Sequence, residues 1–364
     1  MRAAKSRARS RRTSAIVLSV VLAASALGAA ACGGGSSSPG TSAAAHGPLE
    51  QTHLRIGMPK NELGALPLFT GVDKGYFKAQ GIDVTIDDSY ASYQDVLKAL
   101  GDGKVDVIYD DYAHAILQQS TGLYRLQLVA EGYTAGDGSV ELLGRPTVTP
   151  NEEQIQAVFK AQNAFLVPMA GTPSPDTDYT VPTVMLLTRL PDIANSLKLK
   201  KETAGAHLKT VAPNALGDKL TGSPDTTLAA VTPEPYYSNT VSGNKLTKLM
   251  DLTRGSTQAM PMGGYFVKQD YAVTDPNLLK AFTAGLNQAK TATGQRALAM
   301  DEMRTHYGTM ASSTVVASIS FGTFPTTVSV ERVRRVLTLM QSLDLAQYFN
   351  IDTMMPPDAQ RAGS

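Results

Sequence analysis

The chain's densest cluster of reactive side chains is Tyr109-Asp110-Asp111-Tyr112. Two adjacent carboxylates between two phenol rings can hold a cation or a hydrogen-bond donor, by charge and by the electron-rich ring faces. The same aspartates can instead open a helix, because Asp accepts from the first unpaired N–H groups. A second group is Ser89, Tyr90, Ser92 and Tyr93. Its hydroxyls can hold a polar ligand atom while its rings cover an apolar one, or Ser92 with Asp95 can form a capping box. Further along, Tyr179, Thr180 and Thr183 precede an apolar helical stretch, and Glu234 and Tyr236 follow a short strand stiffened by Pro233 and Pro235. These thirteen side chains are the candidate ligand-binding set; structural turn and ligand lid are both open readings for the last pair.

No constellation supports catalysis. The five histidines (His46, His53, His114, His207, His306) are scattered, and HExxH, GxGxxG, GxSxG and Walker-type glycine loops are missing. His114, one turn past the aspartate pair, reads either as a cleft residue or as a buried structural histidine. The single cysteine excludes a disulfide framework and cysteine-ligated zinc or iron–sulfur sites, and no metal or cofactor is expected. Lys+Arg number 33 against 32 Asp+Glu. Six of the basic residues (Arg2, Lys5, Arg7, Arg9, Arg11, Arg12) sit at the extreme N-terminus, so the remainder is mildly acidic and carries no footprint for nucleic acid.

The elements that must position these groups alternate. Leu54–Met58 alternates as a strand, Leu66–Tyr76 has helical spacing with Gly81 ending it, and Ile82–Ile86 is strand-like. A helix through Leu100, a strand over Val105–Tyr109, a helix containing His114–Gln118 and a strand over Leu126–Ala130 follow. This order predicts a mainly parallel sheet with helical crossovers. Beyond it, Glu152–Gln162 and Thr183–Leu197 read as helices. Phe165–Val167, Leu208–Ala212, Leu228–Thr232 and Tyr265–Val267 read as strands. Asn277–Thr291, Arg296–Tyr307 and Val328–Leu343 read as helices, the last with Val333, Leu337 and Met340 on its buried side. A length of 364 residues suggests two lobes. In such α/β sheets ligands sit beyond the carboxyl ends of the strands, where the candidate residues fall.

The N-terminus has a basic run, an uncharged apolar stretch from Ala15, and small residues at Ala29–Ala31, the pattern of an export signal. Ala29-Ala30-Ala31-Cys32 resembles a bacterial lipobox, which implies lipidation of Cys32. Arg11-Arg12 leaves a twin-arginine route open beside ordinary secretion. The Gly/Ser-rich stretch after Cys32 is expected to act as a tether.

Two longer blocks, Ala65–Ile86 with its "KGYF" and Val96–Val107 with its "GKVDV", resemble the nitrate/sulfonate/taurine and thiamine-precursor binding proteins of ABC importers. Glu234-Pro-Tyr236, Gly263–Val267 and Asp275–Leu279 extend the likeness, while residues 140–182 depart from the pattern. Tyr76 and Phe77 are read as packing residues, so the motif marks a fold rather than a site. The resemblance implies an α/β, two-lobed periplasmic-binding-protein (type II) fold, each lobe a mainly parallel sheet flanked by helices, with the ligand cleft between lobes. The expected organisation is a signal peptide over 1–31, a tether over 32–52, lobe 1 from 53–132 and 256–364, and lobe 2 over 133–255. Hinges are expected near Gly132–Ser139 and Met250–Met260. The resemblance implies a monomeric, non-enzymatic solute-binding lipoprotein on the outer face of the cell membrane, partnered by a permease and its ATPase. A nitrogen heterocycle or amine is favoured as solute, because the candidates are acidic and rich in tyrosine; sulfonate and nitrate stay open. Two alternatives also stay open: a ligand-sensing lipoprotein, and a fold-related enzyme of thiamine-pyrimidine metabolism. The cysteine-rich iron chemistry of those enzymes has no counterpart here.

Overall fold

Ten strands build two five-stranded sheets. The computed structural model describes residues 46–145, 164–171, 179–196, 207–222, 227–243 and 246–361. Cys32, the export segment and the helix expected over 152–162 lie outside the described residues. Sheet A has the order β2 (Asp83–Tyr90), β1 (His53–Pro59), β3 (Val107–Asp111), β10 (Pro261–Lys268), β4 (Leu126–Thr134). Sheet B has the order β7 (His207–Val211), β6 (Ala164–Pro168), β8 (Thr227–Pro233), β5 (Val140–Gly144), β9 (Thr247–Asp251). In sheet A, β1 runs parallel to β2 and β3, and β10 is antiparallel to both its neighbours. Sheet B repeats this arrangement, with β5 as its antiparallel member. Each sheet is therefore mixed, with one reversed strand among four that share a direction. The chain passes from sheet A to sheet B after β4 and returns after β9.

Position in the sheet sets the burial of each strand. The edge strand β2 alternates buried and exposed residues over its first half, whereas the interior strands β1 and β3 are almost wholly buried, as expected when both faces are covered. The helices are α1 (Leu66–Asp73), α2 (Tyr93–Gly101), α3 (Tyr112–Ser120), α4 (Val181–Ser196), α5 (Leu216–Gly222), α6 (Tyr236–Gly243), α7 (Gln269–Thr274), α8 (Pro276–Thr293), α9 (Arg296–His306), α10 (Ser313–Ser318) and α11 (Val330–Ser342). Helix α1 stops at Asp73, one turn before the expected Tyr76, because Gly75 turns the backbone to φ +71°. Phe77 then folds inward and stacks on Phe282 with ring centroids 5.7 Å apart. On α11 the expected Val333, Leu337 and Met340 are all buried, joined by Val336.

The apolar core is continuous across the two sheets. Tyr112 and Ile116 of α3 share one cluster with Val181 and Met185 of α4 and with Val336 and Met340 of α11. A second cluster lies under α1, α8 and α9 against the other face of sheet A. The C-terminal segment makes a further link: α10 packs on α6, and Thr323 bridges to Thr134 at the end of β4. Among the described residues, no helix is long and apolar enough to cross a membrane.

Candidate functional site

The parallel strands of both sheets end at a common cavity of about 440 Å³. Sheet A contributes the residues after β1 (Pro59 to Leu63), the end of β2 with the turn beyond it (Ser89 to Tyr93), and Asp111 at the end of β3. Sheet B contributes Pro168 and Met169 after β6, Ala212 to Asn214 after β7, and Pro233, Glu234 and Tyr236 after β8. The reversed strands enter from their opposite ends, through Met262 of β10 and Ser139 and Val140 at the start of β5.

The loop after β1 forms the most polar wall. Asn61 adopts φ +59°, a left-handed conformation that Asn tolerates better than most residues, and its Oδ1 is buried without a hydrogen-bond partner among the described residues. Glu62 accepts the Gly64 N–H at 3.3 Å and the Tyr93 hydroxyl at 2.5 Å. Tyr307 fixes its backbone by donating to the Glu62 carbonyl at 2.6 Å. Burial pushes the Glu62 carboxyl above its usual range, against the opposing pull of Tyr93.

Two further carboxyls line the cavity, and both are engaged. Asp111 caps α3 by accepting from the N–H groups of Ala113 (2.8 Å) and His114 (3.3 Å). The same carboxylate accepts from the Val181 N–H of the opposite lobe, at 3.0 and 2.9 Å from its two oxygens. Burial drives its pKa well up despite these donors. Glu234 accepts from the Ser238 N–H (3.1 Å) and hydroxyl (2.8 Å) at the start of α6, and from the Ser320 N–H (3.0 Å). Its pKa rises to about 7, chiefly through burial. Two more interlobe bonds close the site: the Tyr236 hydroxyl donates to the Lys60 carbonyl at 3.0 Å, and the Gln94 N–H to the Ala170 carbonyl at 3.0 Å.

The structure brings Ser89, Tyr90, Ser92, Tyr93, Asp111, Thr180, Glu234 and Tyr236 to the cavity. Tyr109, Asp110, Tyr112, Tyr179 and Thr183 do not line it. Alternation along β3 is the reason: Tyr109 packs edge-on against Tyr265 in the core, while Asp110 turns to the other face and meets His114 Nδ1 at 2.8 Å. Tyr112 packs edge-on against Phe266, and Thr183 is wholly buried beside Thr180. The aspartate pair is thus split, one member bound to a buried histidine and the other to a helix terminus and the opposite lobe. Ser92 does cap α2, accepting from the Asp95 N–H at 3.1 Å, while also facing the cavity. Ser89 is held by Asp87 at 2.6 Å. Asn61 and Glu62 were missing from the candidates, although their place directly after the first strand marks them.

Among the described lining residues, Lys60 is the sole basic side chain, against the carboxyls of Glu62, Asp111 and Glu234. Tyrosines and prolines supply most of the remaining wall. Such a surface offers acceptors, flat apolar contacts and weakly acidic carboxyls; it offers no cluster of cations for an anion.

The family model "NMT1/THI5 like" matches residues 64–134. A search of curated proteins finds no match. Among solved structures, the chain is similar to the ligand-binding component of an ABC-type import system from Staphylococcus aureus, at 14% identity over 84% of this chain and 97% of that one, with a TM-score of 0.66. It is also similar to the periplasmic aliphatic sulphonate binding protein SsuA of Escherichia coli, at 16% identity over 84% and 97%, TM-score 0.62. The periplasmic nitrate-binding protein NrtA of Synechocystis aligns at 12% identity over 85% and 87%, TM-score 0.65. These findings agree with the resemblance carried by Ala65–Ile86 and Val96–Val107. The chain has the two-sheet fold of the ABC-type periplasmic solute-binding proteins, with an NMT1/THI5-like segment forming much of its first lobe.

Proposed function

We propose that this chain is the solute-capturing component of an ABC importer. A lipid on Cys32 holds it at the outer face of the membrane, and it closes over a small organic solute, a nitrogen heterocycle or an amine. The closed form is presented to a permease and its ATPase, and the solute is not altered. The two interlobe crossings, over 135–139 and 252–260, serve as hinges between a lobe built on sheet A and a lobe built on sheet B. The observation that carries the reading is the cavity wall: the carboxyls of Glu62 and Glu234, the unpartnered Asn61 Oδ1 and the tyrosines receive hydrogen-bond donors from a planar guest. The sulphonate and nitrate binding of two similar structures belongs to those proteins; the acidic wall here favours a donor-bearing solute over an anion. Closure follows from the solute's better fit to the closed state.

Mass spectrometry of solute carried through native purification identifies the ligand class. Calorimetry with amines, pyrimidines and sulfonates in two buffers of different ionisation enthalpy then tests the mechanism. An amine or heterocycle is expected to bind one per chain, with protons released as Glu62 and Glu234 ionise, and at least about tenfold more weakly to Glu62→Gln. Preferential binding of sulfonate or nitrate would overturn the solute class, and turnover of the solute would overturn the binding-protein reading.

A further inference from the structure

We infer that Asp73, Glu302 and His306 form a binding site for a divalent transition-metal ion with the preferences of zinc. None of the three lines the cavity between the lobes. Asp73 is the last residue of α1, and Glu302 and His306 lie one turn apart at the end of α9. Their candidate ligand atoms all lie within 4.8 Å of one another. His306 Nε2 is 2.8 Å from Asp73 Oδ2 and 3.6 Å from Glu302 Oε2. Tetrahedral zinc with bonds of about 2.0–2.2 Å sets its ligand atoms roughly 3.3–3.5 Å apart, so small side-chain adjustments would seat an ion. One imidazole and two carboxylates suit zinc, and the half-exposed Asp73 leaves a fourth position open to water.

Three observations point to a cation here. Glu302 is 5% exposed, and its carboxyl is pushed up first by burial and then by the neighbouring Asp73 charge. A buried carboxylate beside another carboxylate is costly until a cation joins them. Both helices also point their C-terminal ends at the cluster, where the backbone dipole disfavours Asp73 and Glu302 and favours a positive ion. Lys74 and His306 offset only part of this negative charge. Finally, the His306 ring stacks on Phe69 at 4.3 Å and 17°, which fixes the direction of Nε2 before any ion arrives. An ion entering here replaces the proton between Nε2 and Asp73 and cross-links α1 to α9.

The test uses the purified protein stripped with EDTA and dialysed, then titrated with zinc sulfate by calorimetry, with magnesium as control. One zinc per chain is expected, with affinity reduced at least about tenfold in Asp73→Asn and in His306→Gln. Cobalt(II) is expected to give the visible absorption of four-coordinate geometry, lost in both variants. Circular dichroism and binding of the cleft solute report whether the variants remain folded, which keeps this test separate from that of the transport reading. Absence of zinc binding at millimolar metal overturns the inference. So does zinc binding that survives in both folded variants, since the ion would then lie elsewhere.

Discussion

Replacing Asp111 by alanine removes two kinds of contact made by one carboxylate. The first is the cap on α3, formed with the N–H groups of Ala113 and His114. A lost cap costs about 0.5–2 kcal/mol of folding stability. The second is the bond to the Val181 N–H, which joins the lobes. Leaving that buried donor unpaired costs about 1–3 kcal/mol, and only in the closed form. Removal of a buried carboxyl whose pKa is driven up returns part of this. The expected result is a net destabilisation of about 1–3 kcal/mol in urea unfolding, together with a five- to roughly hundredfold loss of solute affinity. Because the affinity loss arises from closure, it must be similar for charged and neutral solutes. Asp111→Asn retains one acceptor oxygen and is expected to lose less of both quantities. An alanine variant with unchanged urea midpoint that loses affinity for cationic solutes alone would refute this account, since the carboxylate would then be touching the solute directly.

Glu234 gives a pH signature. Its folded pKa of about 7 lies above the ordinary 4.5, so the folded chain binds more protons than the unfolded chain between these values. Its contribution is present below about pH 4.5 and is lost as pH rises toward 7, on the order of 3 kcal/mol at about 1.4 kcal/mol per unit. Urea midpoints at pH 5 and pH 8 are expected to differ less in Glu234→Gln than in the wild type; equal slopes would count against the assignment. Gly322 tests the close approach of the C-terminal segment to β4. A Cβ there would lie 1.9 Å from the Thr134 carbonyl oxygen, so Gly322→Ala is expected to cost about 1–3 kcal/mol or more in thermal unfolding. Gly222→Ala, where a Cβ meets nothing within 4 Å, serves as the control.

Much of sheet A was legible because its parallel strands are short apolar runs separated by helices with recognisable caps. Ser92 with Asp95 is one such cap, read from three-residue spacing and present in the structure. The reversed strand β5 escaped notice because Val140–Gly144 carries Glu141 at a fully buried position, where its partner Lys248 comes from β9. Strand β9 alternates weakly and has no turn residues to mark its start. The carboxyl ends of the strands located the cavity, yet the direction of individual side chains there did not follow from sequence. Asp110 and Asp111 look equivalent as neighbours, and only the pleat of β3 separates them. Glu62 reads as an ordinary surface glutamate; its burial comes from Tyr93 and Tyr307, 31 and 245 residues away.

The place of β10 in sheet A has a consequence for biogenesis. It lies between β3 and β4, yet it is synthesised after every strand of sheet B. Until residue 268 has emerged, β3 and β4 each keep an unpaired edge, and no stable intermediate of sheet A with its final register can form. Such long-range pairing slows folding, because the loop entropy must be overcome before the contacts reward it. A nascent chain of this topology stays unstructured for most of its length, the condition in which a polypeptide threads through a narrow translocation channel.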